Sequence, residues 1–280
     1  MLSKIAVMMR DSFLIRHNKK LRKALKITSK IIARVLYGRY KRVSIAKTYK
    51  YLLSSDFAFS NYENWGDRHN QGFEKLLNIS KDKGVVFDIG AHIGLCSLPL
   101  SNIAKQIISF EASQINGKYL KLHLKINKIN NVEIVSCLVG KDEKEDVSFY
   151  DVKGGSGIPS VVNLKALNKS VEVSNIKIKQ ISLDEFSSRY SIIPDVIKID
   201  VEGAEFSVLD GSSMLLSAHR PDIIISLHPR HLKALKRDVK EIFNYCSKYS
   251  YQLLSCVDGH VITQNELSLD EYYMKPINSK

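Results

Sequence analysis

The chain has 280 residues, 44% hydrophobic and 25% charged, which fits a packed globular core and excludes a disordered or collagen-like chain. Its net charge of +13 is uneven: residues 1–50 hold 15 Lys and Arg against one acid, Asp11, while the rest hold 27 basic and 28 acidic side chains. Four cysteines (Cys96, Cys137, Cys246, Cys256) form no C-x-x-C pair, which excludes a cysteine metal cluster or disulfide framework and points to a reducing, cytoplasmic setting.

The first 15 residues, MLSKIAVMMRDSFLI, are interrupted by Arg10-Asp11 and make a poor signal peptide. No apolar run reaches the roughly 20 residues of a membrane span. From Leu21 to Leu36, the residues Leu21, Leu25, Thr28, Ile32 and Val35 recur near helical period, and seven Lys and Arg between Lys19 and Arg34 occupy other angles. This spacing predicts a basic amphipathic helix, the type that lies peripherally on an anionic membrane or docks on an acidic protein partner. A helix packed on the domain and a solvated arm are the alternatives. A nucleic-acid tail is disfavoured, since no recognised binding motif appears. Composition shifts near Ser54-Ser55-Asp56, so residues 1–54 are assigned to the arm and 55–280 to the main domain. Trp65, the sole tryptophan, is read as a packing anchor or as the roof of a pocket.

The stretch from Val85 to Glu111, VVFDIGAHIGLCSLPLSNIAKQIISFE, organises the rest. Val85-Val86-Phe87 reads as a buried strand ending at Asp88, and Ile93 to Ala104 carries helical spacing. Ile107 to Phe110 reads as a second strand ending in Glu111. Gly90 and Gly94 let the backbone approach a ligand at the start of a helix. A carboxylate some 20 residues on can accept both hydroxyls of a ribose. Gly-x-x-x-Gly is not the dinucleotide fingerprint, so an adenosine ligand without a pyrophosphate suits the turn better.

Val132 to Val139 reads as a third strand, followed by Asp142 and Glu143, which either reach an adenine edge or form an exposed turn. Gly154 to Gly157 reads as a lid or a linker. Asp195 to Ile199 is another buried strand, and after it comes the acid-rich KIDVEGAEFSVLDG. Asp200 and Glu202 lie two apart at a strand end and project to one side if the chain stays extended. Glu205 is accounted for by the dipole of the helix it starts. His228 closes the strand from Asp222 to Leu227. Gln252 to Val257 with His260 to Thr263 suggests a terminal antiparallel pair, and the tail from Glu266 is uninformative.

VVFDIGAHIG, FEAS, ISLDEF, VIKIDVEGAEFSVLDG and PDIIISLHP together resemble the FkbM family of S-adenosylmethionine-dependent methyltransferases. The resemblance spans about residues 80 to 265. It implies an α/β class I methyltransferase fold, Rossmann-like, with a mostly parallel seven-stranded sheet and helices on both faces. It also implies S-adenosylmethionine as cofactor and O-methylation of a sugar or glycan hydroxyl, as in surface polysaccharide or glycolipid synthesis, or of a polyketide. Asp88, Gly90 and Gly94 match the donor loop, with His92 where Asn is usual, and Glu111 matches the ribose acid. Ser226 stands where many members carry an acid.

Asp200, Glu202 and His228 are the candidate catalytic residues. Asp200 and Glu202 serve equally as a general base or as ligands of a divalent cation, so the need for a metal stays open. A nicotinamide oxidoreductase is disfavoured by the glycine spacing, and a silent scaffold by the presence of both a cradle and an acid pair.

Overall fold

The computed structural model describes residues 19–67, 70–152, 173–268 and 270–277. The Gly154–Gly157 loop, the first 18 residues and the side chain of Leu21 lie outside the described residues.

Seven strands form the central sheet: β3 (Val85–Ile89), β4 (Gln106–Phe110), β5 (Val132–Val135), β9 (Val196–Ile199), β10 (Asp222–Leu227), β11 (Tyr251–Ser255) and β12 (Asp270–Pro276). Their spatial order is β11-β12-β10-β9-β3-β4-β5, and β12 alone runs against its neighbours. The chain steps outward from β3 through β4 to β5 and then returns to β9 on the other side of β3. That reversal opens a crevice at the carboxyl ends of β3 and β9, where open α/β sheets bind ligands.

Side chains alternate across the sheet, as strand geometry requires. Phe87, Ile89, Ile197, Ile199, Ile223 and Ile225 enter one core, while Val86, Ile107, Val196 and Ile224 enter the other. Both faces are covered, so these strands are near-continuous apolar runs rather than alternating ones.

Three expectations change. The helix after β3 is shorter than its apolar spacing implied, covering only Ser97–Leu100. The expected third strand breaks after Val135. Leu138–Val139 form β6, which joins β7 (Lys144–Val152) and β8 (Val173–Ile181) in a separate three-stranded sheet. The tail is not featureless: it supplies β12, the main partner of β11, whereas residues 260–263 contribute only a single bridge, Leu254 to Val261.

The N-terminal region also differs. A helix, α1 (Lys19–Tyr37), leads into a hairpin of β1 (Tyr40–Ile45) and β2 (Tyr49–Ser54). Val43, Ile45, Tyr51 and Leu53 are buried in the same core as Val86 and Ile107. Tyr51 Oη donates to the Leu98 carbonyl at 2.9 Å, and the Ser54 amide donates to His123 Nε2 at 3.0 Å. The hairpin therefore packs on the same core as β3 and β4.

Among the described side chains of α1 the buried one is Ala33, while Lys30 and Arg34 pair with Asp56, each at 3.1 Å. Ile27, Ile31, Ile32, Val35 and Leu36 are exposed, Val35 by 79%. No described helix is long and apolar enough to cross a membrane.

Candidate active site

The strand ends are tied together by their backbones. The amides of Gly90 and Ala91 donate to the Phe110 carbonyl at 2.9 and 3.0 Å, and the Asp200 amide donates to Ile89 at 3.0 Å. Over these ends opens a cavity of about 1010 Å³, with Gly90, His92, Glu111, Lys198, Asp200, Glu202 and His228 in its walls. Trp65, Asn70 and Glu271 line it as well, and Leu95, Phe110, Leu138, Val139 and Phe149 provide apolar wall.

Glu111 lies at the end of β4. Its carboxylate accepts from the His92 amide at 2.6 Å and the Ser113 amide at 2.7 Å. A carboxylate has about four lone-pair sites, so acceptor capacity remains for a ligand hydroxyl. Burial pushes this carboxyl up to about 7, against the pull of the two amides. His92 reaches the cavity from a left-handed conformation, φ 54°, and burial lowers its imidazole to about 4.

Asp88 and Gly94 are not in the cavity wall. Asp88 is wholly buried and accepts from Ser97 Oγ at 2.6 Å. Opposite it in the β3–β9 register stands Lys198, whose ammonium lies 3.2 Å from Asp88 Oδ1, 3.7 Å from Asp200 Oδ2 and 3.0 Å from the Gly90 carbonyl. Burial works to lower the Lys198 pKa, but Asp88 and Asp200 outweigh it and hold the ammonium charged. Gly90, at φ +79°, makes room for a neighbouring chain: a Cβ there would run into the Asp200 carbonyl oxygen. At Gly94, φ +96°, a Cβ would meet Leu120 Cδ1 at 2.6 Å. Asp142 is drawn away with the three-stranded sheet and pairs with Lys144 at 3.3 Å on an exposed turn.

Asp200, Glu202 and His228 do converge, though not by an extended chain. β9 ends at Ile199, and Glu202 turns back in a left-handed conformation, φ 53°. His228 Nε2 lies 3.2 Å from Glu202 Oε1 and 3.8 Å from Asp200 Oδ1, while Nδ1 donates to Glu205 at 2.6 Å. Burial works to lower the His228 pKa, but Glu202 and Glu205 outweigh it and raise the imidazole to about 10. Burial likewise opposes ionisation of Glu202, yet His228 and His231 bring it down to about 2. The carboxylates on either side of His228 thus favour its protonated form in the free protein.

Three residues escaped the sequence reading. Lys198 interrupts an apolar strand, and a lysine is almost never buried without a partner, which was the available signal. Glu205 is wholly buried and orients His228, beyond what a helix dipole asks of it. Glu271, on β12, accepts from the Gly72 amide at 2.6 Å and Ser226 Oγ at 3.0 Å. Burial and the neighbouring Asp200 raise its pKa. It brings a carboxylate against Ser226, the residue that stands where many members carry an acid.

Strand order, the crevice at the β3–β9 reversal and a carboxylate ending the second strand define an α/β fold of the class I methyltransferase kind. Residues 88–253, more than half of the chain, match the family model described as Methyltransferase FkbM domain. The chain belongs to this family of S-adenosylmethionine-dependent methyltransferases.

Solved structures with a similar fold include methyltransferase FkbM from Methylobacillus flagellatus KT, at 17% identity and a TM-score of 0.46 over 79% of this chain. The chain covers 64% of that protein's length. M. jannaschii TYW2 in complex with AdoMet is 18% identical, with a TM-score of 0.41 over 84% of this chain and 83% of that one. An rRNA methylase from Streptococcus thermophilus is 10% identical, with a TM-score of 0.40 over 73% and 92% of the two chains. No curated protein matches the chain.

Proposed function

We propose that this chain transfers the methyl group of S-adenosylmethionine to a hydroxyl of a sugar or glycan. The observation that carries the reading is the composition of the cavity beside Asp200: Trp65 and Asn70 stand with the carboxylates of Asp200, Glu202 and Glu271. An aromatic face with carboxylate and amide acceptors suits a polyhydroxylated ring, whose C–H faces stack and whose hydroxyls donate.

At the other end of the cavity, Glu111 has acceptor sites for the donor's ribose, and the apolar wall of Phe110, Leu138, Val139 and Phe149 suits an adenine. S-adenosylmethionine supplies an activated methyl group on a sulfonium. The protein's task is to align the acceptor oxygen with it, and alignment can supply most of the acceleration. The acceptor O–C bond forms as the C–S bond breaks, the electron pair stays on sulfur, and the hydroxyl proton passes to a carboxylate of the Asp200–Glu202 pair.

The test is incubation of the full chain with radiolabelled donor and a panel of free, nucleotide-linked and lipid-linked sugars, with the product bond identified by mass spectrometry. Label in a sugar methyl ether is expected. Label found only on nitrogen or carboxyl groups, or only on non-sugar acceptors, overturns the reading.

We further infer that α1 docks on an anionic membrane surface, near lipid-linked acceptors. Its outward side shows Ile27, Ile31, Ile32, Val35 and Leu36, and no acidic residue occurs between Asp11 and Asp56. Apolar burial and attraction to anionic lipid then act together, at about 1 kcal/mol per basic residue near the surface.

A further inference from the structure

We propose that Asp200, Glu202 and His228 hold a divalent cation of the Mn²⁺ type. The ion's role, though not its binding, rests on the methyl-transfer reading. One oxygen of each carboxylate and a nitrogen of the imidazole lie within 4.8 Å of one another. Ligand atoms about 2.1 Å from a shared ion stand roughly 3 Å apart at right angles and about 4 Å apart when opposite. The separations of 3.2 and 3.8 Å from His228 Nε2 already fall in that range.

The set is not merely acidic, because its imidazole is aimed from behind. His228 Nδ1 donates to Glu205, which is fully buried and itself accepts from the Gly203 amide at 2.9 Å. A carboxylate behind the imidazole fixes the tautomer that turns Nε2 forward, as in metal-binding histidines. Nε2 then faces two carboxylate oxygens, an arrangement made favourable either by its own proton or by a cation that displaces that proton and takes the freed lone pair. Around the carboxylates of Asp88, Asp200, Glu202 and Glu205 stand one lysine, Lys198, shared between Asp88 and Asp200, and the imidazoles of His228 and His231. A second oxygen of Glu205 is buried with no hydrogen-bond partner.

Two oxygens favour a hard ion, and the nitrogen tips the choice from Mg²⁺ or Ca²⁺ toward a first-row divalent metal. All three ligands line the cavity, so an acceptor hydroxyl can reach the same ion. A cation there lowers the hydroxyl's pKa. Its proton then passes to Asp200 Oδ2, the oxygen turned toward Lys198, as the O–C bond forms and the C–S electron pair returns to sulfur.

The experiment is a titration of chelator-treated full-length protein with MnCl₂, followed by the paramagnetic resonance of free Mn²⁺, with donor affinity measured separately by calorimetry. One ion per chain is expected. Asp200→Asn, Glu202→Gln and His228→Gln should abolish stoichiometric binding, and Glu205→Gln should weaken it by about 10–100-fold. Retained donor binding reports that each variant is folded. If one ligand variant does not fold, Glu205→Gln and the remaining variants decide. Wild-type protein that binds donor but no Mn²⁺, or Mn²⁺ binding indifferent to all four substitutions, overturns the site and leaves methyl transfer standing. Mn²⁺ binding that follows the substitutions, in a protein that methylates no hydroxyl, supports the site and overturns the proposed function instead.

Discussion

Lys198 stands opposite Asp88 across the β3–β9 pairing and closes an ion pair of 3.2 Å, with side-chain exposures of 6% and 0%. Removing one member of a buried pair strands the other charge, at a cost of about 3–5 kcal/mol. Lys198→Met should therefore lower stability by about that amount, whereas Asp88→Leu with Lys198→Met should recover much of it. Chemical denaturation of the four proteins measures the coupling. Losses that simply add would show that the two charges do not depend on each other.

The Glu111 carboxylate, facing the cavity, sets a second expectation. Glu111→Ala should weaken donor binding by about 1–3 kcal/mol, the cost of leaving ribose hydroxyls without a charged acceptor. Hydroxyl donors favour the ionised carboxylate, and in the free protein burial raises this group to about 7. Donor affinity should therefore rise between about pH 6 and 8 in the wild type and stay flat in Glu111→Gln. The sign for stability is opposite. Between the ordinary 4.5 and the raised 7, the folded carboxyl keeps a proton that the unfolded one has released. The free protein's contribution from this group thus falls as pH rises through that window. A pH-independent affinity would remove Glu111 from the donor site.

Asp200→Asn and Glu202→Gln should each reduce turnover by about 100-fold or more while shifting donor affinity far less, because their proposed work is on the acceptor. Single-turnover rates beside calorimetric donor affinities make the comparison. Equal losses in both would place the pair on the donor instead.

Gly90 lines the cavity, and the space that a Cβ would take there is filled by the Asp200 carbonyl. Any side chain there must push β3 and β9 apart from a φ of +79° that L-residues seldom adopt. Gly90→Ala should lower the melting temperature and donor affinity together. Wild-type melting with lost binding would restore the ligand role.

On α1, Ile31→Glu with Val35→Glu should release full-length protein from anionic vesicles without changing donor affinity, since both positions are exposed. Binding should also weaken as salt screens the basic residues. Wild-type protein that stays in the supernatant at low salt would turn the helix toward a protein partner.

The strand–turn–helix–strand unit from Val85 to Glu111 was legible because buried parallel strands are short apolar runs and because its charged residues fall at strand ends. By the same rule Glu111, Asp200, Glu202 and His228 were found without coordinates, since the carboxyl ends of such strands meet at one crevice. Asp88 matched the donor loop and Asp142 was read as an adenine contact or an exposed turn; neither lines the crevice. One faces into the sheet, and the other leaves with β6 and β7.

Composition and periodicity thus determined the strands and the strand ends where the chemistry gathers, because burial demands apolar residues at fixed spacings, while the fold class and the family came from the resemblance of the motifs. They could not say which acid meets which cation. Asp88 and Lys198 are 110 residues apart and become neighbours only through strand register. Glu205 meets His228 only because β9 and β10 lie side by side, and Glu271 arrives on a strand whose pattern gave no warning. A charge acquires its role from what is packed against it, and that packing exists only once distant strands have paired.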